Sequence, residues 1–419
     1  MYRKTVLGNG VRILSERLEH FRSVSLGIWV NVGSRDEEER DNGVSHFIEH
    51  MVFKGTAARD SMQIAKDLDA IGGLSNAFTG KEYTCFHSKV LDRHFSMLAE
   101  ILSDIFLNSI FDPLDVDRER QVILQEISMV EDTPDDHIHV LFNQLFWMNH
   151  PLGMSVLGTN ETVSAIGKER LLHYIQRFYT SDRVVIAAAG NVDHDALVAF
   201  FRPLFEKIDM GREGRPREIP HVNAEIACVE KPLEQVHLCL GGKAPDLKSE
   251  RRFAGTILNT ILGGNMSSRL FQEIREKRGL AYSVYSFLSA YMDTGLLGVY
   301  VGTDPTAANR VLEVIGREIT RFLQGDLSPS DLAAAKEYLI GGVLLGAENT
   351  DTRMMRLAKN EMVFGREIPY EELIAELEKV ALDEVVAVAK EAFLDGGVSL
   401  ATLGPLGKED LDLDLIRFG

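Results

Sequence analysis

The stretch Gly43-Val44-Ser45-His46-Phe47-Ile48-Glu49-His50-Met51-Val52-Phe53-Lys54 decides how the chain is read, because it sets two imidazoles and a carboxylate into an apolar segment. Val44, Phe47, Ile48, Met51 and Val52 recur at three- and four-residue spacing, so the segment is expected to be a helix with one face in a core. His46 and His50, four residues apart, then leave the helix on one face and are candidate ligands of a single ion. Glu49 follows His46 by three and adjoins His50, within reach of a water on that ion. The order His-x-x-Glu-His inverts the commoner zincin motif. Neutral imidazoles suit Zn2+, and a catalytic zinc takes three protein ligands and leaves one position open. The third ligand has to come from elsewhere, and taken alone the pentapeptide also fits two surface histidines beside a solvated glutamate.

A second segment, Asp115 to Glu131, reads as an amphipathic helix with Pro113 just ahead of it, as at helix starts. It carries Glu119 and Glu126 seven apart, hence on one face and two turns from each other. Glu126 sits beside Val122, Ile123 and Ile127 at the border of the apolar stripe, where an unpaired carboxylate is costly and a metal would remove the cost. Glu119 is placed to orient a ligand or to hold the water. Both also fit an ordinary charged helix face.

At 419 residues with 45% hydrophobic content, the chain is globular and long enough for two domains or more. Its formal net charge of −18 argues against a nucleic-acid partner and favours cationic substrates if the acidic groups line a cavity. Cys85, Cys228 and Cys239 show no Cys-x-x-Cys spacing, so neither a disulfide framework nor a thiolate zinc site is expected, and a reducing compartment fits. Residues Met1 to Leu18 lack the apolar core of a signal peptide, and apolar runs such as Leu339 to Ala347 are too short to span a bilayer. The expectation is a cytoplasmic protein without a membrane span.

The rest of the chain alternates short apolar strands with amphipathic helices. Gly8-Asn9-Gly10 predicts a hairpin between Thr5 and Leu18, and further strands are expected at 24–32, 76–90, 184–189, 235–242 and 281–302. Helices are expected at 61–71, 92–109, 136–148, 168–179 and 193–206, and in the second half at 249–263, 267–277, 305–324, 328–347, 351–364 and 379–393. Tyr179 to Gly190 and Phe393 to Gly404 share a plan of helix end, turn, strand and glycine at equal spacing. This predicts an internal duplication of an α+β unit. The polar, Gly/Pro-containing run between Asp209 and Asn223 is the expected linker, dividing the chain into domains 1–208 and 224–419.

His46-Phe-Ile-Glu49-His50-Met-Val-Phe-Lys-Gly-Thr56, followed by Glu119-Arg-Gln-Val-Ile-Leu-Gln-Glu126, resembles the zinc site of the insulinase/pitrilysin peptidases. The likeness is nearest to the β subunit of the mitochondrial processing peptidase and its single-chain bacterial relatives, and it covers the whole chain. It implies that His46, His50 and Glu126 hold one Zn2+ per chain, that Glu49 is the general base and that Glu119 supports the site. Asn76-Ala77-Phe78-Thr79 resembles the family's active-site edge strand, which implies substrate capture by main-chain pairing at Asn76, Ala77 and Phe78. Arg275 and Tyr282 resemble a pair in the second domain that holds substrate and stabilises the transition state, although by themselves they are only a helix-end cation and a strand aromatic.

The fold implied is α+β, with two homologous α/β-roll domains per chain forming half of a clamshell that a homodimer would close. The implied reaction is zinc-assisted hydrolysis of extended or unfolded peptides inside that chamber, with basic peptides as the expected substrates. Two rivals remain: a non-catalytic peptide-binding or assembly subunit on the same scaffold, and a zinc hydrolase of small amides.

Overall fold

The computed structural model describes residues 1–211, 217–222 and 224–418, so residues 212–216 and 223 of the expected linker lie outside the described residues. Gly10, at φ +97°, turns β1 (Tyr2–Val6) back along β2 (Arg12–Arg17), as the glycine-flanked turn predicts. β3 (Ser23–Val30), β4 (Leu74–Thr79), β5 (Thr84–Leu91) and β6 (Val184–Gly190) complete a sheet of order β1-β2-β6-β3-β5-β4. β6 runs parallel to β2 and antiparallel to β3. Both β3 and β6 are near-continuous apolar runs because both of their faces are covered. Among the described residues β4 pairs only with β5 and forms an open edge.

The second sheet holds β7 (Ile226–Glu230), β8 (Val236–Lys243), β9 (Ala281–Ala290), β10 (Gly295–Thr303) and β11 (Ser399–Gly404) in the order β7-β11-β8-β10-β9. β11 is parallel to β7 and antiparallel to β8, so the second sheet repeats the first without β1. The two matching sequence stretches end alike: Gly190 (φ +130°) and Gly404 (φ +157°) close β6 and β11. A Cβ at these glycines would lie 2.2 Å from the Ser23 carbonyl oxygen and 2.8 Å from that of Gln235. Only glycine fits either place.

The helices expected at 43–54, 61–71, 92–109, 115–131 and 136–148 are α1 (Val44–Met51), α2 (Ser61–Ala70), α3 (Phe95–Asn108), α4 (Pro113–Asp132) and α5 (Pro134–Phe146). The Phe271–Glu276 turn is π-helical where a regular helix was expected. The helices Asn160–Ala165 and Tyr370–Lys379 and the strand β7 are additions to the sequence reading.

The compact units depart from the contiguous division at 208 and 224. One comprises 1–129, 154–217 and 345–368, the other 130–153, 218–344 and 369–419. Packing explains the exchange. In the first unit, Met354, Leu357 and Ala358 of the Thr350–Phe364 helix cover Leu14, Trp29, Cys85 and Val185. In the second, Ile138, Phe142 and Phe146 of α5 cover Cys239, Leu296, Tyr300 and Leu403. Each helix has buried its apolar stripe on the sheet that lacked a cover on that face.

Candidate metal centre

In the first unit α1 sits on the sheet through Val44, Phe47, Ile48 and Met51, which share a core with Val30, Phe86 and, from α4, Val116, Ile123 and Ile127. Packing one face of α1 against α4 brings the carboxylates of α4 beside the histidines of α1. Ile123 and Ile127 are buried, whereas Val122 is exposed, so Glu126 borders the stripe on the α1 side. The helix start is unusual: Gly43 takes φ +94° and supplies no side-chain cap. Glu37 does that work, because its buried carboxylate accepts from the Gly43 amide (2.8 Å), the Ser45 amide (2.9 Å) and Asn42 Nδ2 (3.0 Å).

Three of the expected site residues converge. His46, His50 and Glu126 are the one group of three or more His, Cys, Asp or Glu side chains, among the described residues, whose ligand atoms all lie within 4.8 Å of one another. Glu126 Oε2 is 3.7 Å from His46 Nε2 and 3.7 Å from His50 Nε2. That is too long for a hydrogen bond. It is close to the separation of about 3.4 Å expected for two atoms each about 2.1 Å from one tetrahedral ion.

Burial, with the neighbouring His50 second, pushes the His46 pKa down to about 3, so its imidazole is neutral with a lone pair to give. His50 Nδ1 lies 3.1 Å from Glu119 Oε2. With its proton on Nδ1 donated there, Nε2 is free to face Glu126. Lys54 Nζ anchors the other oxygen of Glu119 at 2.8 Å. His46 Nδ1 is buried without a hydrogen-bond partner. The donor set of two imidazoles and one carboxylate fits Zn2+.

Glu49 stands apart from this set. Thr79 Oγ1 donates to Glu49 Oε2 at 2.6 Å. Burial raises the Glu49 pKa, and the Thr79 bond and His50 oppose the rise. A groove of about 340 Å³ is lined by Glu49, His50, Phe53, Lys54, Glu119 and the β4 residues Ser75, Asn76 and Ala77. Ala77 packs toward the α1 side of the sheet. Phe78 turns to the other side, with its ring 5.6 Å from Trp29.

Arg275 and Tyr282 come together in the second unit, where the Arg275 guanidinium lies 4.5 Å from the centre of the Tyr282 ring. Tyr282 is 80% exposed at the start of the edge strand β9, so its hydroxyl faces solvent. Three residues escaped sequence reasoning. Lys54 lay within the quoted stretch, unremarked for want of a partner. Thr79 closed the quoted edge-strand motif, and Glu37 had as its only signal a helix start without a capping side chain.

No helix among the described residues is long and apolar enough to cross a membrane. Residues 12–160 match the family model for the insulinase family, peptidase family M16, and residues 165–339 match the model for the peptidase M16 inactive domain. The uncharacterized zinc protease YmxG of Bacillus subtilis is 40% identical over 407 residues, which cover 97% of this chain and 99% of that protein. An uncharacterized zinc protease of Streptomyces coelicolor is 40% identical over 412 residues, covering 96% and 90%. Among solved structures, a protease from Helicobacter pylori superposes with a TM-score of 0.90 at 20% identity, covering 97% of this chain and 99% of that one. A peptidase M16 inactive domain from Pseudomonas fluorescens gives 0.89 at 19%, covering 97% and 98%. With His46, His50 and Glu126 gathered from α1 and α4, and with relatives 40% identical over 96–97% of its length, the chain belongs to the insulinase family, peptidase family M16.

Proposed function

We propose that the protein is a zinc metalloendopeptidase that hydrolyses peptide bonds in extended or unfolded peptides and acts as a homodimer. The observation that carries this reading is the separation of roles on one helix: His46 and His50 face Glu126, while Glu49, between them in sequence, is bonded to Thr79 and kept out of the triad. Zinc held by His46, His50 and Glu126 would polarise the scissile carbonyl and acidify a water.

The protein's own groups do the rest. Glu49 accepts the proton of the attacking water and returns it to the leaving amine; burial, by raising its pKa, suits it to both steps. Glu119 holds His50 in the tautomer that presents Nε2. The open edge of β4 offers main-chain groups to an extended chain, which favours a peptide over a small amide. Arg275 and Tyr282 act on the substrate carbonyl, a role supported by the family likeness and by the exposed Tyr282 hydroxyl. The net charge of −18 favours basic peptides.

The test is cleavage of a quenched, Arg-containing peptide of about twenty residues, the length of a presequence-like segment, by the zinc-loaded protein and by Glu49→Gln. Cleavage by the wild type and none by the variant, at equal zinc content, supports the reading. Silence from both despite bound zinc would replace it with the non-catalytic subunit.

A further inference from the structure

Thr79 is the last residue of β4, and its side chain leaves the sheet toward α1. Its hydroxyl has a single proton and two acceptors in range, Glu49 Oε2 at 2.6 Å and the Ser45 carbonyl at 3.5 Å. The shorter bond takes the proton. The tip of the open edge and the proposed base are thus joined by one residue.

The register of β4 gives this link a direction. The Gly80 amide donates to the Tyr83 carbonyl at 2.8 Å, so Gly80 and Tyr83 form a hydrogen-bonded pair of the β4–β5 hairpin. Such pairs alternate along an antiparallel ladder. The pairs Thr79–Thr84, Ala77–Phe86 and Ser75–Ser88 are then the non-bonded ones. Their β4 members turn N–H and C=O away from β5, to the open edge. The Ala77 amide agrees, since it is taken by the Asn76 side chain at 2.9 Å and not by β5. Counting along the edge, Ser75, Ala77 and Thr79 have outward main-chain groups, and Thr79 alone of the three also bonds Glu49, through its hydroxyl.

We infer that Thr79 is a positioning residue for Glu49, its hydroxyl at the tip of the open edge holding the carboxylate of the proposed base in place. This rests on the peptidase reading of the site. Thr79 would touch neither metal nor scissile bond; it fixes the carboxylate that does the proton transfer.

The test uses the zinc-loaded full chain as wild type, Thr79→Val and Thr79→Ser. Valine keeps shape and main chain but loses the hydroxyl, and serine keeps the hydroxyl. On the quenched Arg-containing peptide, Thr79→Val is expected to lower kcat about 10- to 100-fold at unchanged KM, with Thr79→Ser restoring most of it. Zinc affinity, read by competition with a chromophoric chelator, is expected to stay at the wild-type value in both variants. Wild-type kcat in Thr79→Val overturns the proposal, as does a rise in KM alone or a parallel loss of zinc. A zinc-loaded wild type that cleaves nothing overturns the peptidase reading and the role of Thr79 with it, whereas an active wild type with an unaffected Thr79→Val overturns Thr79 alone.

Discussion

His50 and Glu119 form a pair across two helices: Nδ1 of the histidine lies 3.1 Å from Oε2 of the glutamate, whose other oxygen is held by Lys54 at 2.8 Å. The side chain of Glu119 is only 10% exposed, so this contact is weakly screened. Its value lies in fixing the tautomer and ring angle of His50, which otherwise rotates about two single bonds. Glu119→Ala is expected to weaken zinc binding about 10- to 100-fold. Glu119→Gln, whose carbonyl still accepts from Nδ1–H, should lose less. Competition with a chromophoric chelator measures both, and equal affinity in Glu119→Ala and the wild type would show that His50 needs no such support.

Glu37 makes a prediction about pH. Burial pushes its carboxyl up to about 7, against an ordinary 4.5, even though three donors from Gly43, Ser45 and Asn42 favour the ionised form. The folded protein therefore holds this proton more tightly than the unfolded chain does. The contribution is complete below pH 4.5 and declines as pH rises through about 7, by about 1.4 kcal/mol per unit, hence by about 3 kcal/mol in all. His46, pushed down to about 3, works in the opposite sense, since it favours folding more as pH rises through its ordinary range. Lys81, pushed down to about 8 by burial and raised by Glu37, sits nearby and titrates above this window. The difference between wild type and Glu37→Gln isolates Glu37. In urea melts of the metal-free proteins from pH 4.5 to 7, the wild type should lose stability relative to the variant, and parallel curves would refute the assignment.

The sequence carried the cluster of His46, His50 and Glu126 because its spacing lies within helices. His46 and His50 are four apart on α1 and Glu126 rides the apolar border of α4, so periodicity alone puts each on a usable face. Glu37 and Thr79 were illegible for the opposite reason. Their partners are fixed by a loop folding back over a helix start and by the end of a hairpin, which no local pattern reports. The sheets were legible as apolar runs, and Gly190 and Gly404 betrayed the repeat because a close backbone approach admits no other residue. The exchanged helices were not. The stripe Ile138, Phe142 and Phe146 says that α5 has an apolar face, and nothing in it says which sheet that face will cover. β7 was missed because it is a short edge strand whose residues are half-buried or exposed.

The glycine that ends β6 offers a sharp test of the repeat. At φ +130°, with the Ser23 carbonyl oxygen 2.2 Å from where a Cβ would stand, Gly190→Ala must move backbone and not merely a side chain. The loss should be on the order of 3 kcal/mol. Gly8→Ala, with nothing within 4 Å of its Cβ position, is the control and should stay within about 0.5 kcal/mol. Urea midpoints of the two variants decide, and a neutral Gly190→Ala would mean that β3 and β6 can part at this end.

Phe142 tests where α5 belongs. Its ring is fully buried among Ile138, Phe146, Leu296 and Leu403, and its side chain is 5.8 Å from Phe146 between ring centres. Truncation removes an aromatic ring from a dry contact and leaves a cavity that α5, tethered between α4 and the Pro151–Gly153 turn, closes only in part. Phe142→Ala should therefore cost about 3–5 kcal/mol. The assignment of α5 to the second unit adds a second expectation that a helix packed in the first unit would not meet. The residues proposed to hold zinc all lie in the other unit, so zinc stoichiometry at low denaturant should remain at the wild-type value while the first unfolding transition moves down. Limited proteolysis should show the same asymmetry, with cuts appearing first in residues 130–153, 218–344 or 369–419. If Phe142→Ala instead released zinc at the denaturant concentration that opens the second unit, the two units would unfold as one cooperative block, and the exchanged helices would be the natural cause, since each ties its own half of the chain to the opposite sheet.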